Sequence, residues 1–426
     1  MLGTAFVTVS DALSAPPVAP VAAARALVPT GFLGFFLLGW TVLLVPSLVR
    51  DIERDFVVGD AAMGLAYLLY SSMYVVGTAA AGVVADRLGR RRVLPAGPLL
   101  VAAGLVLGAA APAWAVFVAG FLAVGLGAGI SDAGINGLFL DLYPDHRRAA
   151  ALNRLHLFVA IGAAVGPLAV GQLVGAGASW QALLLGTAAA MAPVGLLLLV
   201  LPMPHGRAEH RVAPVAGTAG AVSSSPRRVR AVPLPLAMLS LAIGCYIATE
   251  MGVSSWLVRY LADAPLEVAT LALALFWAGL AASRLVLSLI AGRVATVPFA
   301  AASAAACGLA VVIAVVVPWL PVRIAAFAVA GFGAGPVYPL IMAVGGSLYP
   351  TRTSMVSGVL TGAAVAGSVV YPPLMGFVSA AAGLGVGMLG AGLFGFATAV
   401  GILLAARLAT TPGVNSEKVP QVRHSP

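Results

Sequence analysis

Apolar residues run along this chain in blocks of about twenty or more, separated by short stretches of Arg, Asp, Pro and Gly. The blocks fall near 27–48, 61–83, 94–112, 115–140, 150–174 and 181–202, then near 232–261, 267–290, 297–317, 322–345, 354–378 and 384–407. About 20 apolar residues in a helix cross roughly 30 Å of hydrocarbon, so each block predicts one spanning helix. The stretch 203–231 is too rich in Pro, Ser, Gly and Arg to span. The pattern therefore predicts an all-α membrane protein: a tail over 1–26, a six-helix bundle over 27–202, a linker over 203–231, a second six-helix bundle over 232–407 and a tail over 408–426.

Composition agrees. Of 426 residues, 61% are hydrophobic and 9% charged, which is more apolar surface than a water-soluble fold hides. The net charge of +9 raises the question of a nucleic-acid partner. The basic residues sit in short loops, however, where they read as orienting charges, and no nucleic-acid partner is expected. Arg87, Arg90, Arg91 and Arg92 follow helix 2, Arg147 and Arg148 follow helix 4, and Arg207, Arg211, Arg227, Arg228 and Arg230 lie in the linker. Arg293 follows helix 8, Arg352 follows helix 10, and Arg407, Lys418 and Arg423 come last. The alternate loops mix Arg50 and Arg54 with Asp51, Glu53, Asp55 and Asp60, and Arg259 with Asp263 and Glu267.

This asymmetry places both termini and the linker in the cytoplasm of a multi-pass inner (plasma) membrane protein. Trp114, Trp180 and Trp319, at the outer starts of helices 4, 6 and 10, read as interfacial anchors. Cys245 and Cys307 fall inside helices and read as small buried residues with no metal or disulfide role. The first two dozen residues lack a basic start and a continuous apolar run, so they read as an Ala/Pro tail and not a signal peptide.

The chain also repeats itself. "GAGISDAGINGLFLDLYP" (127–144) returns at an offset of 206 residues as "GAGPVYPLIMAVGGSLYP" (333–350). The same offset carries Arg87 onto Arg293 and Pro167–Leu168 onto Pro373–Leu374. Six helices separate equivalents, so the halves are parallel repeats about an axis along the membrane normal. Only the middle of the segment differs: Asp132 and Asn136 become Tyr338 and Met342.

After helix 2 stands "GVVADRLGRRR" (82–92), with Gly82, Asp86, Arg87, Gly89, Arg90 and Arg91 in the form G-x-x-x-D-R-x-G-R-R. It resembles the signature loop of the major facilitator superfamily, which lies between helices 2 and 3. The resemblance implies a transporter of twelve helices in two bundles. Gly82 allows close helix contact, Gly89 a tight turn, and Asp86 can accept from N–H groups at a neighbouring helix N-terminus, which the resemblance makes helix 11. Arg90 is expected to pair with Asp141. Together these residues are expected to latch the halves on the cytoplasmic side in an outward-open state.

Ionisable residues at membrane depth are costly and need a cavity, a partner or neutrality. Glu250 and Arg284 each lie nine residues from a loop charge, near mid-bilayer. They form either an internal ion pair or a substrate or proton site. Asp132 and Asn136 share a helix face at i, i+4 and read either as a coupling or substrate pair or as polar packing.

"GLGAGISDAGINGLF" and "ALNRLHLFVAIGAAVGPL" resemble helices 4 and 5 of the fucose and hexose permease branch, in the acid and amide of helix 4 and in Leu152, Asn153 and His156. Residues 246–261 and 276–286 resemble its helices 7 and 8, through Glu250, Trp256, Tyr260, Trp277 and Arg284. That branch carries an acid on helix 1; 31–49 has none, and Glu250 is the candidate substitute. His156 reads as a proton shuttle or as a hydrogen-bonded structural residue.

Trp40, Tyr246, Trp256, Trp277 and Tyr338, with Tyr70, Tyr74, Gln172 and Tyr371, are candidate cavity residues or packing. The expected function is secondary transport by alternating access, with protons and a sugar or similar polar solute as partners. Efflux of drugs or metabolites is the alternative, and a sensor or scaffold the third reading. No phosphate-binding loop, metal motif or catalytic set is seen, so no cofactor, no metal and no enzyme activity are expected. A monomer in the lipid bilayer is expected.

Overall fold

The computed structural model describes residues 21–203 and 233–410. The expected tails lie largely outside these residues, as does the linker. Every regular element among them is helical, and twelve helices are long and apolar enough to cross a membrane. Helices 1 and 2 are Val21–Phe56 and Asp60–Leu88; helix 3 spans Arg90–Ala109 as a short turn, Arg90–Val93, followed by Ala96–Ala109; helices 4 to 6 are Trp114–Leu142, Asp145–Gly175 and Trp180–Val200. Helices 7 to 9 are Leu234–Tyr260, Leu266–Ile290 and Thr296–Val316. Helix 10 comes in two pieces, Leu320–Ala334 and Val337–Leu348, and helices 11 and 12 are Thr353–Ala382 and Leu384–Thr410.

Two boundaries differ instructively from those expected from the sequence. Helix 1 continues past the end of its apolar run, through "RDIERDF", to Phe56. Its charged last turns pack against the other half of the molecule, so they need not leave the helix to reach water. Helix 10 breaks at Gly335–Pro336, because proline supplies no N–H and crowds the preceding turn.

The two halves repeat in three dimensions. Helix 1 packs on 5 and 6, 2 on 4, and 3 on 4 and 6; correspondingly 7 packs on 11 and 12, 8 on 10, and 9 on 10 and 12. The match extends to single glycines. Gly125 and Gly129 of helix 4 lie against the backbone of Tyr70 and Tyr74, and Gly331 and Gly335 lie against that of Phe276 and Leu280. Gly127 meets Gly97 and Val101, and Gly333 meets Ser303 and Cys307. Each partner is shifted by the same 206 residues, so the repeat is kept where small residues let backbones touch.

The halves meet chiefly through helices 2 with 11 and 5 with 8, which the repeat exchanges, and through helix 1 with 7. Both described chain ends lie on one face, here the terminal face; the other is the distal face. At the distal face the halves are shut. A methyl group on Gly64 would stand 2.8 Å from the Pro373 carbonyl, and Gly171 and Gly175 press on Thr270 and Glu267. Towards the terminal face, Gly82, Gly358 and Gly362 of helices 2 and 11 have nothing within 4 Å of where a Cβ would stand. Helix 5 likewise exposes Asn153 and His156. The molecule is closed distally and open at the terminal face.

Trp180 differs from the expected lipid-facing anchor. It is buried, with Nε1 donating to Asp55 Oδ2 at 2.6 Å, because helix 1 reaches far enough to supply an acceptor. Trp319 is 66% exposed, and Trp114 stacks on Phe117. Cys245 and Cys307 are buried free thiols.

Candidate functional site

The polar middle of helix 4 is held from both sides. Tyr74, on helix 2, donates its hydroxyl to Asp132 Oδ2 at 2.8 Å. Asn136 Nδ2 donates to Asp132 Oδ1 at 2.9 Å and to the Asp132 carbonyl at 3.0 Å, as an amide one helical turn along can. The close approach of helices 2 and 4 at Gly129 brings the Tyr74 backbone to this level. In the C-terminal half the same positions are Leu280 and Tyr338, so the repeat keeps the packing there without the acid.

His156, eleven residues into helix 5, makes an edge contact with Phe35 of helix 1 at 5.6 Å between ring centroids. It interacts electrostatically with Asp132 on one side and with Arg284 of helix 8 on the other. These neighbours place it at the junction of the halves, so its exposure reports an opening between them and not the lipid face.

In the C-terminal half, Glu250 is buried and accepts a hydrogen bond from Tyr246, one turn earlier on helix 7. Arg284 acts on both and donates to the Gly335 carbonyl at 3.3 Å. Among the described residues Glu250 and Arg284 form no direct ion pair. Asp132, His156, Arg284 and Glu250 thus form a row of ionisable groups crossing from one half to the other. A row of acids, an imidazole and a guanidinium at membrane depth, open on one side, can bind protons and hydrogen-bonding or charged solutes.

The other candidates are dispersed. Trp40 donates to Thr187 Oγ1 at 3.0 Å, inside the N-terminal bundle. Trp277 donates to Ser254 Oγ at 3.2 Å, one turn from Glu250. Trp256 is fully buried, donates to the Pro372 carbonyl at 2.8 Å and meets Tyr67 edge-on, within the distal seam. Tyr338 is half-buried on helix 10. Tyr371 turns into its own half to reach the Gly387 carbonyl at 2.6 Å.

Arg90 pairs with Asp141 and donates to the Gly137 carbonyl at 3.0 Å, a contact made within the N-terminal half. Gly89 takes a φ of +82°, which suits the turn there. Gly82 and Arg87 are exposed, and the Asp86 side chain lies outside the described residues.

What closes the molecule is the distal seam, whose charges read in the sequence as loop residues. Arg50 of helix 1 donates to the carbonyls of Val258 and Ala264, both at 2.8 Å, and to that of Leu261, capping the end of helix 7. Arg259 Nε lies 2.7 Å from Glu53 Oε2 and 3.0 Å from Asp60 Oδ1. Ser379 of helix 11 donates to Asp60, and Tyr67 to the Ser255 carbonyl at 3.3 Å. The sequence signal for this seam was the acid-rich loop itself, with no apolar break to show that helix 1 continues through it.

A family model described as Major Facilitator Superfamily matches residues 30–361. Mouse protein spinster homolog 3 is 30% identical over 173 residues, which is 39% of this chain and 33% of that protein. Multidrug resistance protein Stp of Mycobacterium tuberculosis (strain CDC 1551 / Oshkosh) is 32% identical over 149 residues, 35% of this chain and 28% of that protein. The chain thus spans about a third of the length of these curated relatives. A bacterial homolog to the human lysosomal transporter Spinster, in an inward-facing and occupied conformation, has a TM-score of 0.74 at 16% identity, over 91% of this chain and 98% of that one. The E. coli fucose:proton symporter FucP gives 0.58 at 20% identity, over 89% and 99%. Those structures share the fold. With twelve spanning helices in two repeated halves and a family match over most of its length, the chain belongs to the Major Facilitator Superfamily.

Proposed function

We propose that the chain is a secondary active transporter that moves a sugar or similar small polar solute together with protons, by alternating access. The observation that supports this is the row Asp132, His156, Arg284 and Glu250, which lies between the halves and includes groups able to take up and give back protons. Tyr74, Asn136 and Tyr246 surround its acids with hydroxyl and amide groups of the kind that also meet a polyol. The Arg-rich loops of the terminal face support a cytoplasmic position for that face at the plasma membrane. On that reading the state described here is inward-open, the opposite of the outward-open state that the helix 2–3 loop is expected to hold.

Proton-driven efflux is the second reading, favoured by the relative whose name is that of a multidrug resistance protein. Purified chain in proteoliposomes with an imposed pH gradient separates the two. Accumulation of a labelled hexose or polyol with proton movement supports the first. Proton movement triggered by cationic dyes and by no sugar in a wide panel replaces it with the second.

A further inference from the structure

The densest group of charges outside the central row is the distal seam, and the transport scheme above makes no use of its titration. Glu53 of helix 1 and Asp60 of helix 2 face a single cation, Arg259 of helix 7. The neighbouring charges are committed elsewhere. Arg50 is taken up by the helix 7 carbonyls, Arg54 lies 2.6 Å from Asp51, and Arg323 lies 2.8 Å from Asp263. Asp55 accepts from Trp180, and the Ser379 hydroxyl serves Asp60. Asp51 and Asp263 act on Arg50, while Tyr67 is the remaining titratable neighbour of Glu53 and Asp60.

Two carboxylates against one guanidinium leave one negative charge without a counterion. Glu53 is 7% exposed, and its Oε1 is buried with no hydrogen-bond partner. A buried carboxylate oxygen with neither cation nor donor is where a proton relieves the cost of burial.

We propose that Glu53, which shares the single cation Arg259 with Asp60, holds a proton while the distal face is closed, and releases it to the distal solution when helices 1 and 2 part from helix 7. This is a second proton site, near the distal surface, independent of the role given to Asp132. Closure of this face takes up a proton because water then no longer reaches the Glu53 carboxyl. Opening restores water to the Glu53 carboxyl, and it ionises. Low pH on the distal side therefore favours the closed face.

The test uses the full chain in lipid nanodiscs, with Cys245 and Cys307 replaced by alanine. Spin labels at Val57→Cys and Trp319→Cys report the distal opening by pulsed electron resonance between about pH 5 and pH 8.5. One linked proton shifts the closed-to-open ratio by up to about tenfold per pH unit, towards open as pH rises. Glu53→Gln mimics the protonated acid, so this variant is expected to stay closed at high pH and lose the slope. An ordinary ion-pair lock gives the opposite sign: Glu53→Gln opens the face, and that result overturns the proposal. So does a slope unchanged in Glu53→Gln, or a slope lost instead in Asp132→Asn. If Glu53→Gln fails to fold, the parent protein and Asp60→Asn carry the test. A pH-insensitive parent overturns the proposal, and a pH-insensitive, closed Asp60→Asn supports it.

Discussion

The hydroxyl of Tyr74 and the carboxylate of Asp132 lie 2.8 Å apart on two helices whose backbones touch at Gly129. The tyrosine can donate to the ionised acid and accept from the protonated one, so it serves both states of a proton carrier. Tyr74→Phe removes that donor and is expected to cost about 1–2 kcal/mol. Thermal melting of the purified variant checks the cost. Solute exchange without a pH gradient is expected to persist, while gradient-driven accumulation falls.

Asp132→Asn keeps the shape and a hydrogen bond but cannot cycle a proton. Exchange of labelled solute across proteoliposomes is expected to continue, and uphill transport under a pH gradient to disappear. Loss of both would assign Asp132 to solute binding instead.

Arg50→Ala removes three hydrogen bonds across the seam and frees the end of helix 7. The expected loss is about 2 kcal/mol in favour of the closed face, enough to move the closed-to-open ratio roughly thirtyfold. With Cys245 and Cys307 replaced by alanine and a single cysteine introduced in the seam as Ser255→Cys, increased labelling by a membrane-impermeant maleimide is the readout, and unchanged labelling counts against Arg50 as a gate residue.

Gly129→Ala and Gly335→Ala place a methyl against the carbonyls of Tyr74 and Leu280. Each is expected to destabilise its half by about 1–3 kcal/mol. Gly82→Ala meets nothing within 4 Å here and is expected to leave melting unchanged. If Gly82→Ala nonetheless slows transport, the helix 2–3 loop acts in a different state of the cycle from this one.

The twelve helices were readable because each is a long apolar run, and the repeat because glycines at fixed spacing survive wherever two backbones touch. Asp132 and Asn136 stood out for the same reason in reverse, as polar residues where the repeat has Tyr338 and Met342. The partners were not readable. Nothing local in "LLYSSMYVV" distinguishes Tyr74 from Tyr70; only the crossing of helices 2 and 4 selects it. Arg50, Glu53 and Asp60 read as loop charges because hydropathy cannot tell a charge facing water from one facing a second bundle. Trp180 takes a different place from the one expected for a related cause: a large ring marks burial or an interface alike, and the fold decides which.

The grip of Arg50 on the end of helix 7 has a consequence for how the distal face can open. The Arg50 guanidinium and the carbonyls of Val258, Leu261 and Ala264 lose their contacts with one another at the moment of separation, and water takes their place. Opening is therefore a hydration event, drawing solvent into the seam as the helices part. An impermeant osmolyte that withdraws that solvent should hold the face shut, and the transport rate of the intact protein should fall with osmotic pressure even where neither solute nor proton gradient has changed.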